Sequence, residues 1–156
     1  MENKIEILPL TESEVTQAAA LERVCFSSPW SEAMIREAAA RDEMVFLAAH
    51  VKGAFAGYAS MLCVLDEGQI CNIAVARPFR RHGVGRALID ALIEEGKRRS
   101  LATLMLEVRE SNAAAQALYE AVGFVRDGVR RAFYSAPRED AFLYHFGLKI
   151  PGPETS

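Results

Sequence analysis

The stretch Arg77-Pro78-Phe79-Arg80-Arg81-His82-Gly83-Val84-Gly85-Arg86 holds four arginines and no acid, inside a chain whose formal charge is −3. It lies where a strand gives way to a helix. Backbone N–H groups at a helix N-terminus are unpaired and attract anions. Gly83 and Gly85 keep side chains away from a phosphate that must approach that backbone closely. Arg80, Arg81 and Arg86 add charge around it, and His82 stands beside them. The chemistry this predicts is a phosphate-bearing ligand; the plainer alternative is a solvated cationic face. Neither common nucleotide motif fits. The dinucleotide fingerprint needs a third glycine where Leu88 stands, and no Walker string occurs.

Two residues further along could move protons. Glu107 follows Leu104 and Leu106 and precedes Val108 in a run that alternates like a strand. A carboxylate there can accept a proton directly or through one water, or it can simply face solvent opposite the apolar side. Tyr119, with an ordinary pKa of roughly 10, is protonated at neutral pH and can donate; its alternative role is a core aromatic. Asn112 has the residue type and position of a helix cap. His50, His82 and His145 share no metal-ligand spacing, so no metal is expected.

These residues need elements to position them. Lys4 to Pro9 reads as a first strand, and Thr11-x-x-Glu14 as a capping box opening a helix through about Val24. A second helix is expected over about Ser31 to Arg41, after a turn at Pro29-Trp30. Three antiparallel strands follow: Met44 to His50, Ala54 to about Leu65, and Gln69 to Ala76, with turns at Lys52-Gly53 and Asp66-Glu67-Gly68. A helix to about Arg99 carries an expected buried stripe of Val84, Leu88, Ala91 and Leu92. Thr103 to Val108 is a strand. Asn112 opens a helix through Val122, and Gly123 supplies its left-handed stop. Phe124 to about Arg130 and Ala141 to Lys149 form a last hairpin. Helices alternating with strands on one mixed sheet make the chain α/β, with α+β character.

Composition narrows the function. The 156 residues suit one domain, expected over residues 1–150, with a Pro/Gly-rich flexible tail at 151–156. Eighteen Lys and Arg against 21 Asp and Glu disfavour a duplex nucleic-acid partner. Cys25, Cys63 and Cys71 form no C-x-x-C pair and read as reduced thiols. The N-terminus lacks a signal-peptide pattern, and no apolar run approaches the ~18 residues that span a membrane. A cytoplasmic protein is expected.

Arg80-Arg81-His82-Gly83-Val84-Gly85 matches the Q/R-x-x-G-x-G/A motif of the GNAT acetyltransferases. Asn72-Ile73-Ala74-Val75 resembles that family's bulged strand, and Leu106 to Phe124 resembles its later motif. The likeness spans roughly residues 4 to 148. Pro29-Trp30-Ser31, Leu106-Glu107-Val108-Arg109, Ser111 to Ala115 and Arg138-Glu139-Asp140-Ala141 resemble the RimI subfamily, which acetylates the N-terminal alanine of a small-subunit ribosomal protein. The resemblance implies a GNAT acyl-CoA N-acyltransferase fold, a central mixed sheet of about seven strands flanked by about four helices. It implies acetyl-CoA as co-substrate, its pyrophosphate on residues 80 to 86 and its pantetheine arm on the backbone of Ile73, Ala74 and Val75 and on Asn112. It implies Glu107 as base, Tyr119 as acid, and Trp30 and Tyr134 along a peptide groove. Two rival readings stay open: a GNAT enzyme for a lysine or small amine, and a silent acetyl-CoA-binding module.

Overall fold

The structure, a computed structural model, describes residues 4–148. In chain order it contains β1 (Ile5–Pro9), a short 3-10 turn (Glu12–Glu14), α1 (Val15–Cys25), α2 (Glu32–Ala39), β2 (Met44–Val51), β3 (Ala54–Val64) and β4 (Glu67–Val75). A second 3-10 turn (Arg77–Phe79) leads to α3 (Val84–Arg98), β5 (Thr103–Arg109), α4 (Ala113–Val122), β6 (Val125–Ser135) and β7 (Arg138–Gly147). The seven strands form one sheet in the order β1-β2-β3-β4-β5-β7-β6. Tight turns make β2, β3 and β4 antiparallel neighbours. Among the described residues only β4 and β5 run parallel, because α3 supplies the crossover that parallel pairing requires.

Local chemistry explains most boundaries. The Thr11 backbone N–H donates to Glu14 Oε1 at 2.9 Å, and the first turn after it is 3-10 before α1 begins. Ser31 Oγ accepts the Met34 N–H at 3.2 Å and opens α2, which stops at Ala39, two residues short of the expected end. Gly123, at φ +122°, ends α4. The last hairpin differs most from expectation. β6 begins after Phe124, whose ring is buried in the core, and it runs on to Ser135; β7 starts at Arg138. β6 is an edge strand with nearly every side chain in water, and its register slips between Arg126 and Gly128 and between Arg130 and Tyr134. Without a buried face it has no apolar alternation to read. Lys149 and the 151–156 tail lie outside the described residues.

Two cores flank the sheet. On one side α3 buries Val84, Leu88, Ile89, Leu92, Ile93 and Gly96 against Leu104, Leu106 and Val108 of β5 and against β2 to β4. The expected stripe is thus widened by Ile89, Ile93 and Gly96, while Ala91 is only half-buried at its margin. On the other side Val15, Ala18, Ala19 and Leu21 of α1 and Ile35 of α2 pack on Phe46, Tyr58 and Ala74. One acid, Glu22, is fully buried in that second layer.

Candidate active site at the parting of β4 and β5

β4 and β5 pair at only three positions: Glu67 with Thr103, Gly68 with Leu104 and Gln69 with Met105. Just beyond, the β3–β4 register passes from Met61–Ile70 to Ser60–Asn72, leaving Cys71 as the extra residue of a bulge. A bulge bends its strand and increases its twist. The outer half of β4 therefore turns away from β5, and its edge from Asn72 to Val75 gains no strand partner on that side. A cavity of about 560 Å³ opens at the parting. Its wall draws on the α1–α2 loop, the bulge, the end of β5, the start of α4 and the turn between β6 and β7.

Glu107 and Tyr119 both line this cavity, and they reach it from opposite sides. Along β5, Leu106 and Val108 face α3, so Glu107 faces the α1–α2 side, where Gln69 Nε2 donates to Glu107 Oε2 at 2.9 Å. Tyr119 comes from α4, packed among Phe124, Tyr144 and the α3-side core. Burial, helped by nearby Tyr134, pushes its hydroxyl up to about 12. A phenol so placed stays protonated and can donate a hydrogen bond. Ile73, Asn112 and Tyr134 share the same wall. Asn112 caps α4 by accepting the Ala115 N–H at 3.1 Å, so its cap role is real whatever else it binds. Trp30 does not line the cavity; its ring packs against Phe46 at a centroid distance of 6.2 Å.

The loop before α3 lies apart from that cavity's wall. The first helical bond of α3 runs from the Ala87 N–H to the Gly83 carbonyl, leaving the amides of residues 84 to 86 outside the ladder. Gly83 sits at φ +84° and has room for a side chain, so its backbone conformation is what calls for glycine. Gly85 is small for a different reason. A Cβ there would stand 3.3 Å from Leu118 of α4, so this glycine lets α3 and α4 close up. Val84 is buried in the core and can offer only its backbone. Arg80 reaches back, its Nε donating to the Val75 carbonyl at 3.0 Å, and thereby caps the free end of β4. Arg86 pairs with Asp90 on an exposed face at 3.4 Å. Among the described residues, Arg81 and His82 make no side-chain hydrogen bond and stand exposed, as free donors would.

Residues 15–124 match the model of the acetyltransferase (GNAT) family. The chain belongs to the GNAT family. It is 40% identical over 139 residues to the ribosomal protein bS18 alanine N-acetyltransferase of Escherichia coli strain K12, covering 88% of this chain and 93% of that one. The crystal structure of the Escherichia coli ribosomal-protein-S18-alanine N-acetyltransferase superposes with a TM-score of 0.87, at 35% identity, over 98% of this chain and 99% of that one. Ard1 from Thermoplasma volcanium has the same fold, with a TM-score of 0.84 at 23% identity over 93% of this chain and 98% of that one.

This GNAT site also contains side chains that sequence reasoning left unassigned. Arg109 lies two residues beyond Glu107 on the same strand face. Its Nη1 donates to the Pro137 carbonyl at 3.0 Å and pairs with Glu139 at 3.1 Å. Its Nη2 donates to Ser27 Oγ at 2.9 Å and the Ala136 carbonyl at 3.2 Å, and its guanidinium lies 4.2 Å over the Tyr134 ring. One side chain thus ties the α1–α2 loop to the β6–β7 turn across the mouth of the cavity. Period-two counting from Glu107 is the signal that points to it. Burial, with Glu107 and Glu139 nearby, raises the Tyr134 hydroxyl, and Arg109 opposes that shift. Gln69 carried no sequence signal beyond strand alternation.

Proposed function

We propose that this chain transfers the acetyl group of acetyl-CoA to the free N-terminal amine of a protein, the N-terminal alanine of a small-subunit ribosomal protein. The observation that carries the reading is the meeting of Glu107 and Tyr119 in one cavity from opposite faces of the sheet. The relatives named for that reaction, similar over almost the whole chain, supply its substrate. The reading takes residues 1–150 as one catalytic domain acting in the cytoplasm.

The residues present fit acetyl-CoA. The open amides of residues 84 to 86, with Arg81, His82 and Arg86, suit its pyrophosphate. The unpaired edge at Ile73, Ala74 and Val75, together with Asn112, suits its pantetheine arm. Bound there, acetyl-CoA supplies the thioester carbonyl that an amine attacks. The α-amine, whose ordinary pKa is roughly 7.7–8.0, attacks in its neutral form, and Glu107 takes the proton it sheds as the amide bond forms, directly or through one water. The backbone N–H groups of Ile73 and Val75, which point away from β3, are the donors available to the carbonyl oxygen. Tyr119 donates to the departing sulfur. With its hydroxyl near 12 it acts more as a hydrogen-bond donor than as a strong acid, since thiols lie near roughly 8.5.

The wall argues against a polyamine as acceptor. Its charged side chains are one carboxylate, Glu107, and one guanidinium, Arg109, itself paired with Glu139, so the wall lacks the cluster of acids that would hold a polycation. The test follows thiol release from acetyl-CoA with a basic peptide beginning in alanine, beside the same peptide with a blocked N-terminus and an internal lysine. Release from the free N-terminus alone is expected. Equal release from the blocked peptide would make the enzyme a lysine acetyltransferase instead.

A further inference from the structure

Glu22 takes no part in the chemistry above, yet its carboxylate is fully buried and three donors converge on it. The Trp30 N–H donates to Oε1 at 2.8 Å, Asn72 Nδ2 donates to Oε2 at 2.6 Å, and the Tyr58 hydroxyl donates to Oε2. Burial first, and the bond to Glu22 second, raise the Tyr58 hydroxyl far above its ordinary range, so it remains a donor. One side chain of α1 thereby joins the turn before α2, the middle of β3 and the bulged part of β4.

The consequence falls on Asn72. The Asn72 amide turns its NH₂ toward Glu22, which leaves its carbonyl oxygen pointing the other way. Its other arm, Oδ1, receives no hydrogen bond among the described residues, and Asn72 lines the cavity that holds Glu107. Asn72 also stands next to the bulge residue Cys71, where β4 leaves β5. A carbonyl oxygen held in one orientation at that place suits an N–H of an incoming amine.

We propose that Asn72 Oδ1 accepts a hydrogen bond from the acceptor amine, and that Glu22 is the positioning residue that keeps this oxygen facing the cavity. The inference rests on the amine-acetylation reading but not on which amine is the natural one. Replacing Glu22 by Gln removes the constraint, because the new amide can donate as well as accept, and Asn72 is then free to present its NH₂ to a cationic substrate.

The experiment is a double-mutant cycle with Asn72→Ala, Glu22→Gln and both together, assayed with whichever of the two peptides above the unaltered chain turns over. The expected result is a peptide KM raised about ten- to a hundredfold in Asn72→Ala, the range of a hydrogen bond to a charged group, with acetyl-CoA KM little changed. Glu22→Gln should raise peptide KM similarly in the unaltered background and add nothing once Asn72 is Ala. A peptide KM unmoved in Asn72→Ala overturns the proposal. An equal effect of Glu22→Gln in both backgrounds overturns the role of Glu22, making it structural. Should Glu22→Gln fail to fold, Asn72→Ala alone decides whether Oδ1 binds the amine. If the unaltered chain turns over neither peptide, the amine-acetylation reading falls first and this one with it.

Discussion

Along β5, Leu104, Leu106 and Val108 turn to α3 and are 0%, 2% and 5% exposed, while Glu107 and Arg109 turn the other way and stay half-buried. The same division runs across the sheet. The α3 side is apolar from Val45 to Leu148. The α1–α2 side collects Glu22, Tyr58, Asn72, Gln69 and Glu107, linked by hydrogen bonds in two groups. The α3 layer holds the larger apolar core, and the α1–α2 layer adds a smaller one. The α1–α2 layer also keeps buried polar groups in fixed directions at the edge of a cavity, a costly arrangement unless each is paired. Where β4 and β5 separate, Tyr119 from the apolar side and Glu107 from the polar side line one cavity.

Substitutions on the two sides should therefore fail in different ways. Glu107→Gln should lower kcat by about a hundred- to ten-thousandfold, the usual range for a lost general base, with the melting temperature nearly unchanged. Steady-state thiol release and a thermal melt on one preparation check both halves. Leu88→Ala should do the reverse. Its side chain is wholly buried, so the change should cost about 2–5 kcal/mol of stability by denaturant titration while kcat of the folded enzyme holds. A large loss of kcat in Leu88→Ala below its melting point would break the separation. Gly83→Ala tests the boundary. At φ +84°, with Ile5 Cδ1 at an ordinary contact distance of 3.8 Å from a Cβ there, the alanine should cost about 1–2 kcal/mol through backbone strain alone, and acetyl-CoA KM should rise if the loop shifts.

The apolar layer was the legible one. Strand β5 and helix α3 bury faces whose 2.0 and 3.6 periods are written in their residues, while β2 and β3, buried on both faces, read as apolar runs bounded by turns. β6 resisted the same reading because its eleven residues are an exposed edge whose arginines alternate with nothing. In the site, Glu107 and Tyr119 come forward through the resemblance to GNAT motifs, since spacing alone leaves Glu107 even between base and solvent-facing acid and favours a core aromatic for Tyr119. Asn72 appeared only as part of a bulged strand. Glu22 was passed over, although Val15, Ala18, Ala19 and Glu22 follow helical spacing and put the acid on the buried stripe. What the sequence could not display is convergence. Glu22 and Asn72 stand fifty positions apart in the chain, and only the fold brings their side chains to 2.6 Å.

The most direct test of the paired acid and base is the pH dependence of kcat/KM for the unaltered enzyme and for Tyr119→Phe. A raised hydroxyl keeps its proton as pH climbs, and Tyr119 holds its proton to about 12. The unaltered profile should rise once as the α-amine loses its proton, near about pH 8, and stay level past about pH 10, where an ordinary tyrosine would ionise. Tyr119→Phe should lie lower throughout with the same shape. A falling limb at or below about pH 10 in the unaltered enzyme, lost in Tyr119→Phe, would contradict the account.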